Sequence, residues 1–336
     1  MISNSQADFD TVYQQILAGW GAQTVRTLAC LSVAEALASG PLSAEEIAER
    51  ASSDPDMTYR LLRAGAALGF LRYDETDKEF SGTPMLQVLH EDSQYCLKHY
   101  AMAGLSAAFW LPALQLPDTV IRGENFVSDV LGCSTFEYLS THDEEAQMFG
   151  AAMTDLSTPV IRHAVAAIDV ADARLVVDVG GANGAFLAQL LKLHPPLTGV
   201  VLDLPSAMHG VEQEARRHGV GDRMTGVEGD FFDEIPAADL YLLKFVLHDW
   251  DDQACQTILR NIRRAMKPGA RLMIAEMTIA QNLPSAALMD IAMMFAFSGR
   301  ERETGEFEQL LKAADLKMIR DTPLQPPYHL IEASPA

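Results

Sequence analysis

The sequence predicts an α/β fold: a mostly parallel, seven-stranded sheet in the C-terminal half, preceded by a smaller α-helical domain. Three observations carry this. From Arg174 onward, short apolar runs alternate with helical patterns, the grammar of a parallel sheet with right-handed crossovers. The first run, residues 175–179, ends in the glycine-rich loop of residues 180–184, with an apolar helix pattern directly after it. Before residue 95 the periodicity is helical, with a single hairpin signal.

The first helical pattern runs through Val12, Ile16, Leu17 and Trp20. A second runs through Leu28, Leu31, Val33, Ala36 and Leu37 and stops at Gly40-Pro41. Ser43 and Glu46 make a capping-box pattern that opens a short helix with Ile47 and Ala48. Asp54-Pro55 opens another, carrying Tyr59, Leu61, Leu62, Ala66 and Leu68. Residues 70–73 and 80–83, around a polar turn, read as a hairpin. Helix, turn, helix, hairpin is the winged-helix order. Residues 1–95 hold 6 Lys/Arg against 14 Asp/Glu, a net charge of −8, whereas a DNA-reading helix would carry phosphate-binding cations. Packing against a twin, as a dimerisation domain, is the expected role.

Residues 96–165 read as a helical connector, interrupted by Pro112, Pro117 and Gly123. Its Trp110, Phe126, Phe136, Tyr138, Phe149 and Met153 suit a core or a pocket wall. The sheet strands are expected at residues 175–179, 199–204, 224–229, 240–247, 271–276, 317–320 and 328–333. A turn falls at Lys267-Pro268-Gly269, and helices near 255–262 and 307–314. The last two strands look hairpin-like, so one of them should run antiparallel.

The chain has 336 residues, 49% of them hydrophobic and 21% charged, which suits a globular chain and argues against global disorder. A net charge of −21 argues against nucleic acid or an anionic membrane as partner. The N-terminus lacks the basic start of a secretory signal. The most apolar stretch, residues 286–297, is too short to span a bilayer and is broken by Asp290. Cys30, Cys96, Cys133 and Cys255 are scattered without a CxxC pair, as expected for thiols in a reducing cytoplasm and not for a metal site.

The glycine loop departs from the dinucleotide fingerprint. Counted from Gly180, the second and third glycines fall on Ala182 and Ala185; counted from Gly181, the second falls on Asn183. No Lys-Ser/Thr follows Gly184, so it is not a P-loop either. Asp178, two residues before the loop, would repel a pyrophosphate and suit a cation. S-adenosylmethionine carries a sulfonium and an ammonium and no phosphate. Asp203, 19 residues past Gly184, can accept ribose hydroxyls. Asp230 can accept an adenine amine, and Phe231 can pack on the ring. Three acids at the carboxyl ends of successive parallel strands mark one ligand crevice.

The fourth strand carries the chemistry. Lys244 lies inside an apolar run, an expensive place for a charge unless it is paired or meets the cofactor. His248 follows where the strand ends, and Asp251 or Asp252 is the more natural cap for the next helix. An imidazole there can serve as general base. Glu276 and Glu301 can flank it and favour its protonated form. Full proton transfer from a phenol to an ordinary imidazole costs about 5 kcal/mol, so the base must be helped by a carboxylate or by concerted transfer.

At these residues the chain resembles class I S-adenosylmethionine-dependent O-methyltransferases of the plant caffeate type, with the bacterial natural-product branch (phenazines, anthracyclines) and the animal hydroxyindole enzyme. The resemblance runs almost end to end. It is most specific at residues 177–184, 202–205, 229–232, 243–250 and 300–302, with residues 136–139 and 152–153 on the substrate side. It implies a Rossmann-like methyltransferase domain over residues 166–336 and a winged-helix dimerisation domain over 1–95. Gly180, Gly181, Gly184, Asp203, Asp230, Phe231 and Lys244 would contact the cofactor beside Asp178. His248 would be the base, flanked by Glu276 and Glu301. Met153, Asp249, Met293 and Phe297 would hold the acceptor. An intertwined homodimer would form, and transfer would leave S-adenosylhomocysteine without a metal. Phe231 replaces a common Met, Phe297 stands where plant members often have Asn, and Glu303-Thr304 replaces a Thr-rich step. The alternatives are N-methylation, a diverged use of the cofactor, and a winged-helix DNA-binding regulator.

Overall fold

The computed structural model describes residues 5–208, 210–280, 283–297 and 299–336. The chain forms two compact units. One comprises the residues up to Ala107 with Ala151–Leu156, and the other Ala108–Gly150 with Ser157–Ala336. The helix Asp143–Ala167 passes through both groupings. Among the described residues, no helix is long and apolar enough to cross a membrane.

The first unit opens with the helix Gln6–Cys30, started by a capping box between Ser5 and Asp8. It ends where Ser32 takes a left-handed φ of 50°, and a single turn, Val33–Ala36, follows. The helical pattern expected from Leu28 to Leu37 is therefore divided: Leu28 closes the long helix. The capping box of Ser43 and Glu46 opens Ala44–Ala51, and Asp54 accepts the Met57 amide at the start of Pro55–Ala67. Strands β1 (Leu42–Ser43), β2 (Leu71–Asp74) and β3 (Glu79–Gly82) pair antiparallel in the order β1-β3-β2. Leu28, Ile47, Leu62, Phe80 and Leu86 fill the core beneath them. Phe9, Val12, Tyr13, Ile16 and Trp20, spaced along one side of the first helix, are all at least half exposed.

The second unit is built on seven strands: β4 (Leu175–Val179), β5 (Thr198–Asp203), β6 (Met224–Glu228), β7 (Ala238–Lys244), β8 (Met266–Met277), β9 (Leu316–Pro323) and β10 (Tyr328–Pro335). Their order is β6-β5-β4-β7-β8-β10-β9. All neighbours are parallel except β10, which is antiparallel to both β8 and β9. Side chains alternate between two cores, as the two-residue strand period requires. Val177, Val179, Tyr241 and Leu243 meet Ile258, Leu259 and Ile262 of the helix Asp252–Ala265 and Phe307 of Thr304–Ala313. Val176, Leu240 and Leu242 meet Phe186, Leu187 and Leu190 of the helix Ala185–Leu193. Helices on both faces explain why residues 240–243 of β7 form a continuous apolar run, with about 1.5–3 kcal/mol from each fully buried large apolar side chain.

Two local details differ from expectation. Strand β7 stops at Lys244, not Leu247, because Phe245 turns the backbone with a φ of 56°. Leu247–Asp249 then forms a 3-10 turn. The turn expected at Lys267–Gly269 lies within the span of β8, where Gly269 has a φ of 81° and the register against β7 shifts. The strand order reverses between β4 and β7, so their carboxyl ends border the crevice where doubly wound sheets take ligands.

Candidate active site

The glycine loop leaves the end of β4 and enters the helix Ala185–Leu193. Three of its positions require glycine. A Cβ on Gly180, whose φ is 68°, would lie 2.8 Å from Val246 Cγ2; one on Gly181 would lie 2.6 Å from the Asp178 carboxyl carbon. Gly184 has a φ of 77°, and a Cβ there would overlap Met224 and sit 2.8 Å from Val201 Cγ2. The loop is thus pressed against β4, β5 and the segment after β7.

Asp203, at the end of β5, accepts the Ala182 amide through Oδ2 (2.9 Å) and the Leu204 amide through Oδ1 (2.7 Å). Burial raises its carboxyl and these amides oppose the rise. Asp178 is 1% exposed, and its Oδ2 has no hydrogen-bond partner among the described residues. Burial lifts its carboxyl to about 7, against the pull of Lys244 and the Leu187 amide. Lys244 is lowered by burial in turn, while Asp178, Glu276, Asp249 and Asp203 hold its proton on. Its ammonium lies 4.7 Å from the centre of the Phe245 ring. Asp230 lies two residues past the end of β6 and accepts the Phe232 amide at 2.8 Å. Phe231 packs against Phe232 and Trp250, and its ring reaches the Gly180 side of the loop. The cofactor-side residues expected from the sequence therefore all border the β4–β7 crevice or the neighbouring ends of β5 and β6.

His248 sits in the 3-10 turn beyond β7. Its Nδ1 lies 2.9 Å from Glu301 Oε1, a charge-assisted bond when the ring is protonated. Glu276 does not bond the imidazole in the same way: its Oε2 stands 4.0 Å from Nδ1. Its Oε1 instead accepts the amides of Val246 (3.0 Å) and Leu247 (2.9 Å), fixing the backbone that leads into the turn. On the other side, Asp249 Oδ1 is 3.5 Å from Nε2. Burial opposes a charge on His248, but Asp249, Glu276 and Glu301 outweigh it and hold the imidazole well above its ordinary value, at about 10. Burial raises Glu276 to about 7 and Asp249 to about 6, with His248 opposing both rises.

Met293 and Phe297 belong to an apolar cluster with Phe109, Phe149, Met289, Ala292 and Phe295. The Phe297 ring lies 5.4 Å from Phe136 and 6.3 Å from Phe109, and Phe136 stacks on Trp250 at 5.8 Å. Asn125 donates to the carbonyls of Met294 (2.8 Å) and Phe297 (2.6 Å), and Thr135 donates to that of Ala296. These bonds seat the end of the helix Pro284–Ala296. Met153 lies in the Ala151–Leu156 segment of the first unit and is partly buried.

Three residues with no site role expected from the sequence complete the geometry. Asp290 accepts the Glu301 amide at 3.0 Å. Gly299 packs directly on the His248 turn, and Arg302 donates to carbonyls on either side of it. Arg302 and Gly299 stood beside Glu301 in the sequence, but nothing local reports which carbonyls an arginine reaches. Among the described residues, two clusters could hold a metal ion: His248–Glu276–Glu301 and Cys96–His99–Asp155. In the second, Asp155 Oδ2 already accepts the His99 amide (2.8 Å) and the Cys96 thiol (3.6 Å). Burial raises that thiol to about 11.

Comparison with known proteins identifies the family of the chain. The O-methyltransferase domain profile matches residues 114–317, and the O-methyltransferase dimerisation domain profile matches residues 14–92. A phenazine O-methyltransferase of Lysobacter antibioticus is 30% identical over 96% of this chain and 95% of its own. The structure of a mitomycin 7-O-methyltransferase superposes with a TM-score of 0.92 at 30% identity, covering 98% of both chains. That of an O-methyltransferase from neocarzinostatin biosynthesis, in complex with S-adenosylmethionine and 2-hydroxy-5-methyl naphthoic acid, gives 0.82 at 28% identity, covering 94% of this chain and 96% of the other. With its seven-stranded sheet, glycine loop and N-terminal dimerisation domain, the chain belongs to the O-methyltransferase family and is an O-methyltransferase.

Proposed function

We propose that this enzyme methylates a hydroxyl of an aromatic, phenolic or polycyclic small molecule, using S-adenosylmethionine, with His248 as general base. The observation that carries the proposal is the His248 ring. Its Nδ1 is committed to Glu301, which leaves Nε2 as the nitrogen that can meet an acceptor's proton. The ring lies just past the end of β7, next to the crevice that the glycine loop and Asp178 border.

The residues suit S-adenosylmethionine. The Asp178 oxygen, without a hydrogen-bond partner among the described residues, is a buried site for a cationic group. Gly180, Gly181 and Gly184 bring the loop backbone close, Asp203 and Asp230 offer carboxylates to ribose and adenine, and Phe231 offers a ring face. Lys244 balances the acids around it. Bound there, S-adenosylmethionine supplies an electrophilic methyl group. The chain's own work is then to place the acceptor, exclude water and receive a proton. The Phe109, Phe136, Phe149 and Phe297 rings with Met293 offer an apolar wall to a flat aromatic acceptor, in keeping with the naphthoic acid held by the neocarzinostatin relative. Asp249 is assigned to the acceptor side, and Met153 keeps the acceptor role that the family resemblance implies. Glu301 holds the imidazole in the tautomer with its proton on Nδ1 and stabilises the imidazolium, while Nε2 faces Asp249 Oδ1 at 3.5 Å. Each pH unit by which His248 rises removes about 1.4 kcal/mol from the cost of taking a phenolic proton.

The exposed stripe Phe9–Trp20, within a chain that carries a dimerisation domain, is assigned to the interface of a homodimer. The four unpaired cysteines suit the reducing cytoplasm. The test is incubation with methyl-labelled S-adenosylmethionine and a panel of phenols, naphthoic acids, phenazines and polycyclic quinones. His248→Ala should lower turnover by about 10²–10⁴-fold while cofactor affinity stays near wild type. Unchanged turnover in that variant removes the base assignment; failure to bind the cofactor removes the whole reading.

A further inference from the structure

We propose that residues 299–302 form the template that seats the His248 turn, with Arg302 as a positioning residue that fastens it. This rests on the reading of His248 as the base, and it adds the part of the chain that fixes where that base stands.

Arg302 is fully buried. A guanidinium has five N–H donors, and here every one is used. Nη1 donates to the Leu247 carbonyl (2.7 Å) and the Arg300 carbonyl (3.3 Å). Nη2 donates to the Trp250 carbonyl (2.8 Å) and to Asp252 Oδ1 (2.9 Å), and Nε donates to the same Asp252 oxygen at 3.2 Å. Leu247 and Trp250 bracket His248 and Asp249. The planar fork therefore grips the turn on both sides of the imidazole, at a spacing that a lysine ammonium cannot span. With its donors all taken, Arg302 has none left for a substrate.

Gly299 supplies the seat. A Cβ there would overlap the carbonyl oxygen of His248 and lie 2.5 Å from the Trp250 nitrogen. These are backbone atoms, which cannot swing aside as a side-chain tip can. Between seat and fastening stands Glu301, whose Oε1 meets His248 Nδ1 and whose amide is held by Asp290. The segment is itself tied to the sheet: Arg302 bridges Thr278 just past β8, and its carbonyl accepts the Ile279 amide at 3.0 Å. One short stretch thus carries the backbone contact, the ring partner and the clamp.

The test compares Arg302→Lys and Gly299→Ala with wild type, each also in the His248→Ala background. Asp252→Asn serves as a milder variant, since it loosens the Arg302 tether at a half-exposed carboxylate. Measured are cofactor Kd, kcat and KM, and the titration of the His248 imidazole by NMR in histidine-labelled protein, assigned by its absence in His248→Ala. Arg302→Lys and Gly299→Ala should lower kcat by about tenfold or more, with cofactor Kd and acceptor KM within about threefold of wild type. Asp252→Asn should act in the same direction with smaller amplitude. The His248 titration should move to lower pH as the ring loses its register with Glu301. In the His248→Ala background each substitution should reduce the residual rate by less than about threefold, because the paired changes act through one residue. Losses that multiply in that background, or a folded variant whose His248 titration is unmoved, overturn the proposal. If Arg302→Lys does not fold, Gly299→Ala and Asp252→Asn decide the matter by the same readouts. If His248→Ala itself retains full turnover, the base reading fails, and the clamp is then judged on the imidazole titration, which reports position whatever the ring's chemical role.

Discussion

Replacing Glu301 by Gln keeps the shape of the side chain and removes its charge. At an effective permittivity of about 20, opposite charges about 4 Å apart attract by about 4 kcal/mol. That corresponds to about three pH units and is a ceiling. Burial of the imidazole works against the rise, and Asp249 and Glu276 contribute to the net change from 6.5 to about 10. Glu301, bonded at 2.9 Å, should then account for roughly one to two pH units. For the proposed base the useful form is the neutral ring, so the wild-type rate should climb as pH rises above 7. In Glu301→Gln the climb should come at lower pH by that amount, and the plateau should be lower because the amide does not hold the tautomer as firmly. The assay is kcat/KM for methyl transfer from labelled cofactor between pH 6 and about 10. The acceptor's own ionisation is the same for both enzymes, so only the difference between the two profiles counts. Coincident profiles would falsify the assignment of Glu301 as the carboxylate that holds the His248 proton.

Other outcomes follow from the same geometry. The Asp178 carboxyl, raised from 3.8 to about 7 by burial, binds a proton in the folded state that the unfolded chain has released, so cofactor-free stability should fall as pH rises from about 4 to 7. Three pH units set a ceiling of about 4 kcal/mol, and Asp178→Asn should flatten the urea midpoints between pH 5 and about 7.5; parallel curves would refute this. Gly184→Ala should destabilise the fold by about 1–3 kcal/mol and weaken cofactor binding, as its Cβ meets Met224 and Val201 in a left-handed backbone; calorimetry and melting check it. Phe297→Ala should raise acceptor KM by about tenfold without changing cofactor Kd, and an equal effect on both would remove Phe297 from the acceptor wall.

What could be read before any coordinates was what lies in short contiguous stretches. The glycine loop is local: one strand, five residues and one helix define it, and the steric need for Gly180 and Gly184 is written in their identity. The caps at Ser43 and Asp54 are local for the same reason, and Asp251 does cap the helix Asp252–Ala265. The strand count, and the one strand of opposite direction, followed from alternation and a short connection. What escaped depends on contacts across long sequence separations. Glu276 was expected beside the imidazole; it lies close, but its nearer work is on the amides of Val246 and Leu247, which no spacing rule reports. The early end of β7 depends on the backbone of Phe245, a residue whose type ordinarily continues a strand. The roles of Gly299, Asp290 and Arg302 exist only once the segment after the helix Pro284–Ala296 lies against the His248 turn.

The order of these parts along the chain has a consequence for synthesis. Every residue assigned to the cofactor lies before residue 250, whereas Glu276, Gly299, Glu301 and Arg302 come later. A ribosome adding about 5–20 residues per second completes the glycine loop and its acids several seconds before it delivers the segment that seats His248. In a nascent chain ending ahead of Gly299, the residues proposed to meet the methyl donor have been made, and the segment proposed to seat His248 has not. The proposed template is made only after β8, ahead of the helix Thr304–Ala313 and the C-terminal hairpin.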